Sequence, residues 1–444
     1  MKIPALTVDC RIAKSAVSFV AACALTACAT PQTPNSTLPV ADETERALLE
    51  RARAIHQKSL ILDAHADIVL PSTPRSYLGT DGKSKVSPAK LKAGNMGAVV
   101  MSVAVGPGPR TPAGDALARA EADKKLVAAK EMANQNVGLE LATSPDQITA
   151  AHNEGKIAFV LGFQNARSLE GDVSNLDHFY KSGVRVFGLN HLGHNEFSDS
   201  SRPSFDGETG KYEVSEEHGG LSPLGAAAIK RINKLGGIVD ISQMSKAATL
   251  QAIGLSKAPV IASHSNVRKL SDVSRNLSDE EIDQIAETGG VIHVAAFAAY
   301  LVDLSDPAML ASIKKVRLDA GLPETYSYPY ELYWEIPDLR KRRSFLLAMR
   351  AVIGAGSVDR LIDHIDYIVG RVGIDHVGIG SDFNHGGGIE GFVDASEALN
   401  VTVGLVRRGY SAGHIEKIWS KNFLRVFEKA QHTARKSSLA TKFP

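Results

Sequence analysis

The chain has 444 residues, 44% of them hydrophobic, and 50 basic against 49 acidic side chains leave a formal net charge of +1. That apolar content is ample for one large core, and a single α/β barrel can use most of such a length. Near-neutral charge without a basic patch or an acidic tail excludes the usual footprint of a nucleic-acid partner.

In chain order, Lys2, Arg11 and Lys14 accompany an apolar stretch from Ala16 to Ala27 that ends in small residues. This is the plan of a secretory signal, too short to span a bilayer with tolerance. The three cysteines, Cys10, Cys23 and Cys28, all lie here. A mature chain without this segment has neither a disulfide nor a catalytic thiol. The closing Leu25-Thr26-Ala27-Cys28 resembles a bacterial lipoprotein signal. The resemblance implies lipidation at Cys28, a membrane anchor and a periplasmic location, on the outer membrane of a Gram-negative host given Ala29. An ordinary signal peptide with an incidental cysteine is the alternative. Residues 29–40, rich in Pro, Thr and Ser, read as a flexible tether.

A single folded domain is expected over 41–435, with a tail over 436–444. A helix over 46–57 places Ala47, Leu48, Ala52 and Ile55 on one face. A first strand is expected at Leu60–Val69, a loop over 71–95, and a second strand at Met96–Val105. A helix at Ala113–Asn136 precedes the third strand, Ile157–Phe163. A short helix at Leu176–Ser182 leads to the fourth strand, Val184–Asn190, which ends at His191. Ser222-Pro223 opens a helix through Leu235, with proline in the first turn. The fifth strand is Ile238–Ser242, the sixth Val260–Ser263, the seventh Val291–Ala296 and the eighth Val377–Ser381. Helices fill the gaps at Lys246–Leu255 and from the capping box Ser278-Asp279-Glu280-Glu281 to Glu287. Helices at Ala395–Arg408 and Ala412–Gln431 close the chain.

Eight short apolar strands alternating with helices predict a (β/α)8 TIM barrel. The segment from about 297 to 372 breaks the repeat and reads as a helical insert folding over the barrel mouth. Its aromatic cluster, Tyr326, Tyr328, Tyr330, Tyr333 and Trp334, reads as packing before substrate contact.

Several strands end in ligand-type residues. His65 and Asp67 share one face of the first strand, because side chains alternate. Gln243, His264 and Asp382 follow the fifth, sixth and eighth. Polar groups converging from strand ends suggest an active site at one mouth of the barrel. His293 reads as a hydrogen-bonded core histidine and His194 as a surface one. Asn384-His385-Gly386-Gly387-Gly388 reads as a flexible mouth loop, too weakly patterned to suggest phosphate binding.

Four stretches resemble the renal or membrane dipeptidase family of metal-dependent barrel hydrolases. They are Asp63-Ala64-His65-Ala66-Asp67, Gly220-Leu221-Ser222-Pro223-Leu224-Gly225, Ala258-Pro259-Val260-Ile261-Ala262-Ser263-His264-Ser265 followed by Arg275-Asn276, and Asn422-Phe423-Leu424-Arg425-Val426-Phe427. The order matches from about residue 58 to 430. The resemblance implies two metals, usually zinc. His65, Asp67 and Asp382 correspond to ligands of one metal, with Asp382 also handling the attacking water. His264 corresponds to a histidine on the other metal, His191 to the histidine that polarises the scissile carbonyl, and Arg275 to the arginine near the substrate carboxylate.

Two positions depart from the family pattern. Gln164 stands where a bridging carboxylate belongs, and Gln243 where the second metal's other histidine belongs. A neutral amide is a poor ligand beside imidazole and carboxylate. Whether either amide touches metal stays open here, as does a count of one, two or no Zn²⁺. The expected function is hydrolysis of small peptides with a reduced, single-metal site. A single-metal amidohydrolase acting on another amide or a lactone, and a non-catalytic peptide-binding lipoprotein, are the alternatives. A homodimer stays open.

Overall fold

Eight parallel strands run in chain order around a barrel: β1 Ile61–Asp67, β2 Met96–Ala104, β3 Ile157–Gln164, β4 Val184–Gly188, β5 Ile238–Asp240, β6 Ile261–Ala262, β7 Val291–Val294 and β8 Val377–Ile379. The ring closes just past β8, where Asp382 N–H donates to His65 O at 3.0 Å and Asp67 N–H to Phe383 O at 2.9 Å. The structure, a computed structural model, describes residues 40–206, 209, 211–326, 328–333 and 336–440. The expected leader with Cys28, the tether up to residue 39, Trp334 and residues 441–444 lie outside the described residues. Residues 45–444 form one compact unit, and residues 1–44 another in which only the start of the helix Val40–Lys58 is described. Among the described residues no helix is long and apolar enough to cross a membrane.

Every residue of β1 and β2 is buried, because both faces of a parallel barrel sheet are covered. Ala98 and Val100, Ala158 and Val160, Val186, Ile238, Ile261 and Val291 pack together with Phe423 and Phe427. The alternate positions, among them Val99, Met101, Phe159, Leu161, Val239 and Ile292, pack with helix residues such as Leu126, Ile229, Ile253, Ile285 and Ile365. The first set fills the barrel and the second meets the outer helices. The C-terminal helix Asn422–Ala440 seals the end where the strands start, with Asn422 donating to Val377 O at 2.9 Å. Chemistry is left to the opposite mouth.

Some expected boundaries move. The helix Asn422–Ala440 runs on into the segment read as a tail. The loop after β1 contains a short helix, Pro88–Ala93, and an unexpected strand and helix, Leu139–Leu141 and Pro145–Asn153, precede β3. The insert is also narrower than 297–372. Tyr300, Ile313, Tyr328, Phe345 and Met349 build a separate small core, whereas Leu361, Ile362, Ile365 and Ile368 of the helix Val358–Val372 belong to the barrel. The insert therefore ends near Ile353, and its amphipathic neighbour is an ordinary outer helix of the barrel.

Candidate active site

The register of β1 shifts between Asp63 and Ala66. Leu62 and Ala64 face the interior below the shift, and the irregularity lets His65 and Asp67 face the mouth above it. Asp63 braces this turn of chain. Its carboxylate accepts from Ser381 N–H at 2.7 Å, from His65 N–H at 3.2 Å and from the Ser381 hydroxyl. Burial pushes Asp63 up to about 6 against those hydrogen bonds. Gly380 lets the chain pass close to the end of β6, since a Cβ there would lie 1.9 Å from Ser263 O. Asp382 follows with φ of 59°, a left-handed conformation that L side chains adopt at a cost.

His65 Nε2 lies 3.4 Å from Asp67 Oδ1, an oxygen without a hydrogen-bond partner among the described residues. Asp67 Oδ2 is 2.8 Å from His385 Nδ1. Burial disfavours the Asp67 charge, but His385 and His65 outweigh it and hold the carboxyl well below its ordinary range. His65 is shifted up, because Asp67 and Asp382 together overcome the effect of burial. Burial raises Asp382, opposed by His65 and Arg275. The ligand atoms of His65, His264 and Asp382 all lie within 4.8 Å of one another.

The other side of the floor is built from β3, β5 and β6. The inward face of β3 reads Ala158, Val160, Gly162, Gln164. The His264 ring stacks on His65 with centroids 3.8 Å apart. Asp240 Oδ2 takes the Ser263 hydroxyl proton at 2.5 Å, and Ser263 Oγ is 2.8 Å from His264 Nδ1. A hydroxyl that donates to a carboxylate accepts from its next neighbour, so Nδ1 carries the proton and Nε2 a lone pair. The amides of Gln243 and Gln164 reach that Nε2 at 3.1 and 3.4 Å. Burial, then His65 and Arg275, keep His264 well below its ordinary range, hence neutral. Arg275 donates from Nη1 to His264 O at 2.8 Å.

Above this floor lies a cavity of about 470 Å³, lined by Gln164, His191, Arg202, Gln243, Asp382 and His385 and by insert residues including Tyr328 and Tyr330. Tyr77 hydrogen-bonds Tyr333 across the mouth and stacks on His385 at 5.1 Å. The insert's tyrosines thus serve packing and cavity lining together. His191 meets His385 edge-on at 4.8 Å, and its Nδ1 has no partner among the described residues. Burial, then His385 and Arg202, depress His191 well below its ordinary range.

The structure brings His65, Asp67, Gln164, His191, Gln243, His264, Arg275 and Asp382 to one mouth. It corrects two other readings. His194 is buried, accepting from Ser200 N–H at 3.0 Å and contacting Val214 O at 2.7 Å through Nε2, so it pins a loop and does not lie on the surface. The glycine-rich mouth loop is tied down, with Gly387 N–H on Asp382 O at 2.8 Å and Gly388 N–H on Ala296 O at 2.7 Å. His293 fits its expected role, with Nδ1 3.0 Å from Ala262 O. Sequence reasoning passed over His385 and Arg202. His385 carried one signal, its place three residues after Asp382; Arg202 carried none.

Residues 49–441 match the model of the membrane dipeptidase family, peptidase family M19. The chain belongs to that family. The probable dipeptidase PvdM of Pseudomonas aeruginosa is 34% identical, with a TM-score of 0.76 over 88% of this chain and 100% of that one. A metallo peptidase of Rhodobacter sphaeroides, liganded with a phosphinate mimic of L-Ala-D-Ala, shares the fold at 18% identity and a TM-score of 0.64, over 84% of this chain and 100% of that one. Dipeptidase tcpJ of Claviceps purpurea is 27% identical over 300 residues, 67% of this chain and 56% of that protein. The chain thus spans about half the length of that curated relative.

Membrane dipeptidases are metal-dependent. The carboxylate side fits a cation: Asp67 Oδ1 is buried and unpartnered beside His65 Nε2, with Asp382 close by. The glutamine side presents neutral amides where a second one would need ligands. Both amides occupy His264 Nε2, and the Arg202 guanidinium donates to Gln243 Oε1.

Proposed function

We propose that this chain is a metal-dependent hydrolase of small peptides or closely related amides, working with one cation held by His65, Asp67 and Asp382. The observation that carries this reading is the Asp67 Oδ1 without a hydrogen-bond partner among the described residues, beside His65 under the cavity. When bound, a divalent cation supplies Lewis-acid chemistry and makes water acidic enough to attack near neutral pH. Asp382 takes the water's proton and returns it to the leaving amine. His191 is neutral and offers a ring N–H to the carbonyl oxygen as negative charge develops there. Tyr77 and Tyr333 keep bulk water from the cleft.

The test is elemental analysis of the purified protein together with a dipeptide hydrolysis screen. One zinc per chain and activity lost on chelation are expected. Two tightly held zinc ions would refute the single-metal reading, and a metal-free, inactive protein would refute the enzyme. We also propose a lipid anchor at Cys28, supported by the leader sequence; Cys28→Ser should then move the protein from the membrane to the soluble fraction.

A further inference from the structure

Arg202 lies outside every stretch that carries the family resemblance, in the loop between β4 and the helix Pro223–Leu235. The loop is pinned from three sides. The Ser200 hydroxyl donates to His191 O at 2.6 Å, Ser201 N–H donates to Gln243 O at 2.9 Å, and Asp199 accepts backbone N–H groups from Glu217, His218 and Gly220. These contacts drive Arg202 into the cavity, where only 5% of it stays exposed.

Burying a cation is costly unless a charge or a full set of hydrogen bonds compensates it. Among the described residues no carboxylate lies within ion-pair distance of Arg202. Its Nη2 donates to Gln243 Oε1, its Nη1 to the Tyr300 hydroxyl at 3.3 Å, and its Cζ sits 4.9 Å from the Tyr328 ring centroid. Its Nε has no partner. Arg275 is in the same condition at 2% exposure: Cζ lies 4.3 Å from the Tyr300 ring centroid, while Nε and Nη2 have no partner. Tyr300 thus touches both guanidiniums. The carboxylates of the floor, Asp67 and Asp382, face His65, His385 and the cation proposed above, and buried Glu331, which accepts from the Tyr212 hydroxyl at 2.9 Å, favours the Arg202 charge only from beyond ion-pair distance. Arg202 lines the cavity with an unused Nε–H, and Arg275, which shares Tyr300 with it, has two more N–H groups without a partner among the described residues.

We propose that Arg202 and Arg275 form a two-point anion seat, and that the cavity takes an amide with a carboxylate at each end and no free ammonium group, an N-dicarboxyacyl amino acid. This rests on the cavity being the substrate site, as argued above, and it names the class of substrate. One carboxylate pairs with Arg275. The other pairs with Arg202, whose charge repels the ammonium of an ordinary dipeptide from the Gln243 side.

The test is calorimetric titration of the intact protein with N-succinyl-L-alanine and with L-Ala-L-Ala, using wild type, Arg202→Gln and Arg202→Lys. Wild type should bind the succinyl compound tighter by roughly 30-fold or more, the scale of one desolvated charge pair. Arg202→Gln should lose that preference by weakening the succinyl compound alone, and Arg202→Lys should restore part of it. Equal or tighter binding of L-Ala-L-Ala by wild type overturns the proposal, and so does an absence of binding by both probes. A folded Arg202→Gln that keeps full affinity for the succinyl compound overturns it too; should that variant not fold, the wild-type comparison and Arg202→Lys decide. Each titration is repeated in the Asp382→Asn background, where turnover is removed, so binding and hydrolysis are read apart and the two readings fail separately. Dipeptide hydrolysis without the binding preference sinks the seat alone, and the preference without any hydrolysis sinks the enzyme alone.

Discussion

On one side of the cavity floor, His65, Asp67 and Asp382 bring two carboxylates and an imidazole to the closure of β1 against the turn after β8, with the His264 ring within reach of His65 and Asp382. On the other, Gln164, Gln243 and Arg202 surround a neutral His264 at the ends of β3, β5 and β6. The supports beneath the two sides are alike. Asp63 braces the Ser381 backbone and hydroxyl below the first; Asp240 braces Ser242 and Ser263 in the same way below the second. Each side also carries one ligand-position residue held at positive φ, 59° at Asp382 and 68° at Gln243. The framework for two functional half-sites is therefore present, while the groups it presents are anionic on one side and neutral or cationic on the other. Charge, and not geometry, separates them.

The largest expected effect breaks the comparison on its working side. Asp382→Asn keeps the shape but removes the base, and kcat should fall by roughly 10²–10⁴-fold in steady-state hydrolysis assays. A variant that retains activity would mean that the carboxylate side does not perform the chemistry. The next effect tests whether charge alone closes the other side. Gln164→Glu with Gln243→His should raise the zinc content toward two per chain by elemental analysis. Adding Arg202→Gln should tighten the second zinc further, by roughly tenfold, because a guanidinium next to Gln243 opposes a dication. Equal zinc content in all three proteins would show that the half-site differs in geometry after all.

Much of this was legible in the sequence. Strand and helix alternation placed all eight barrel strands to within a few residues, because each is a short apolar run that ends in polar groups. His65, Asp67, Gln243, His264 and Asp382 were legible because strand ends fix side-chain direction locally, and Gln164 only through the family resemblance. Arg202 was not. Its position depends on Asp199, His194 and Ser200 folding a long loop back on itself, contacts between residues 6, 9 and 21 positions apart that leave no periodic trace. The insert was visible as a break in the repeat, but its end was not. The helix Val358–Val372 reads alike whether its apolar face meets the insert or the barrel.

The smallest effect concerns how the arginine side is tied down. His364 accepts Val267 N–H on Nδ1 at 3.0 Å and lies 3.2 Å from Leu301 O through Nε2. Val267 follows the strand end that carries His264, and Leu301 follows Tyr300, so this one ring joins the glutamine side to the insert. With Nδ1 accepting, Nε2 donates, and the ring is neutral; burial depresses it from 6.5 to about 4. The unfolded chain therefore takes up a proton near pH 6.5, whereas the folded chain resists until about pH 4. Stability from this group is complete above pH 6.5 and is lost as the pH falls through that window. His364→Asn can still accept from Val267 but does not titrate. The stability advantage of wild type over this variant should shrink by about 2 kcal/mol between pH 7 and 4.5 in denaturant titrations. An advantage that stays constant across that range would mean that the ring is not held neutral. Weakened binding at the arginine side, with the carboxylate side unchanged, would then need another cause than this tie.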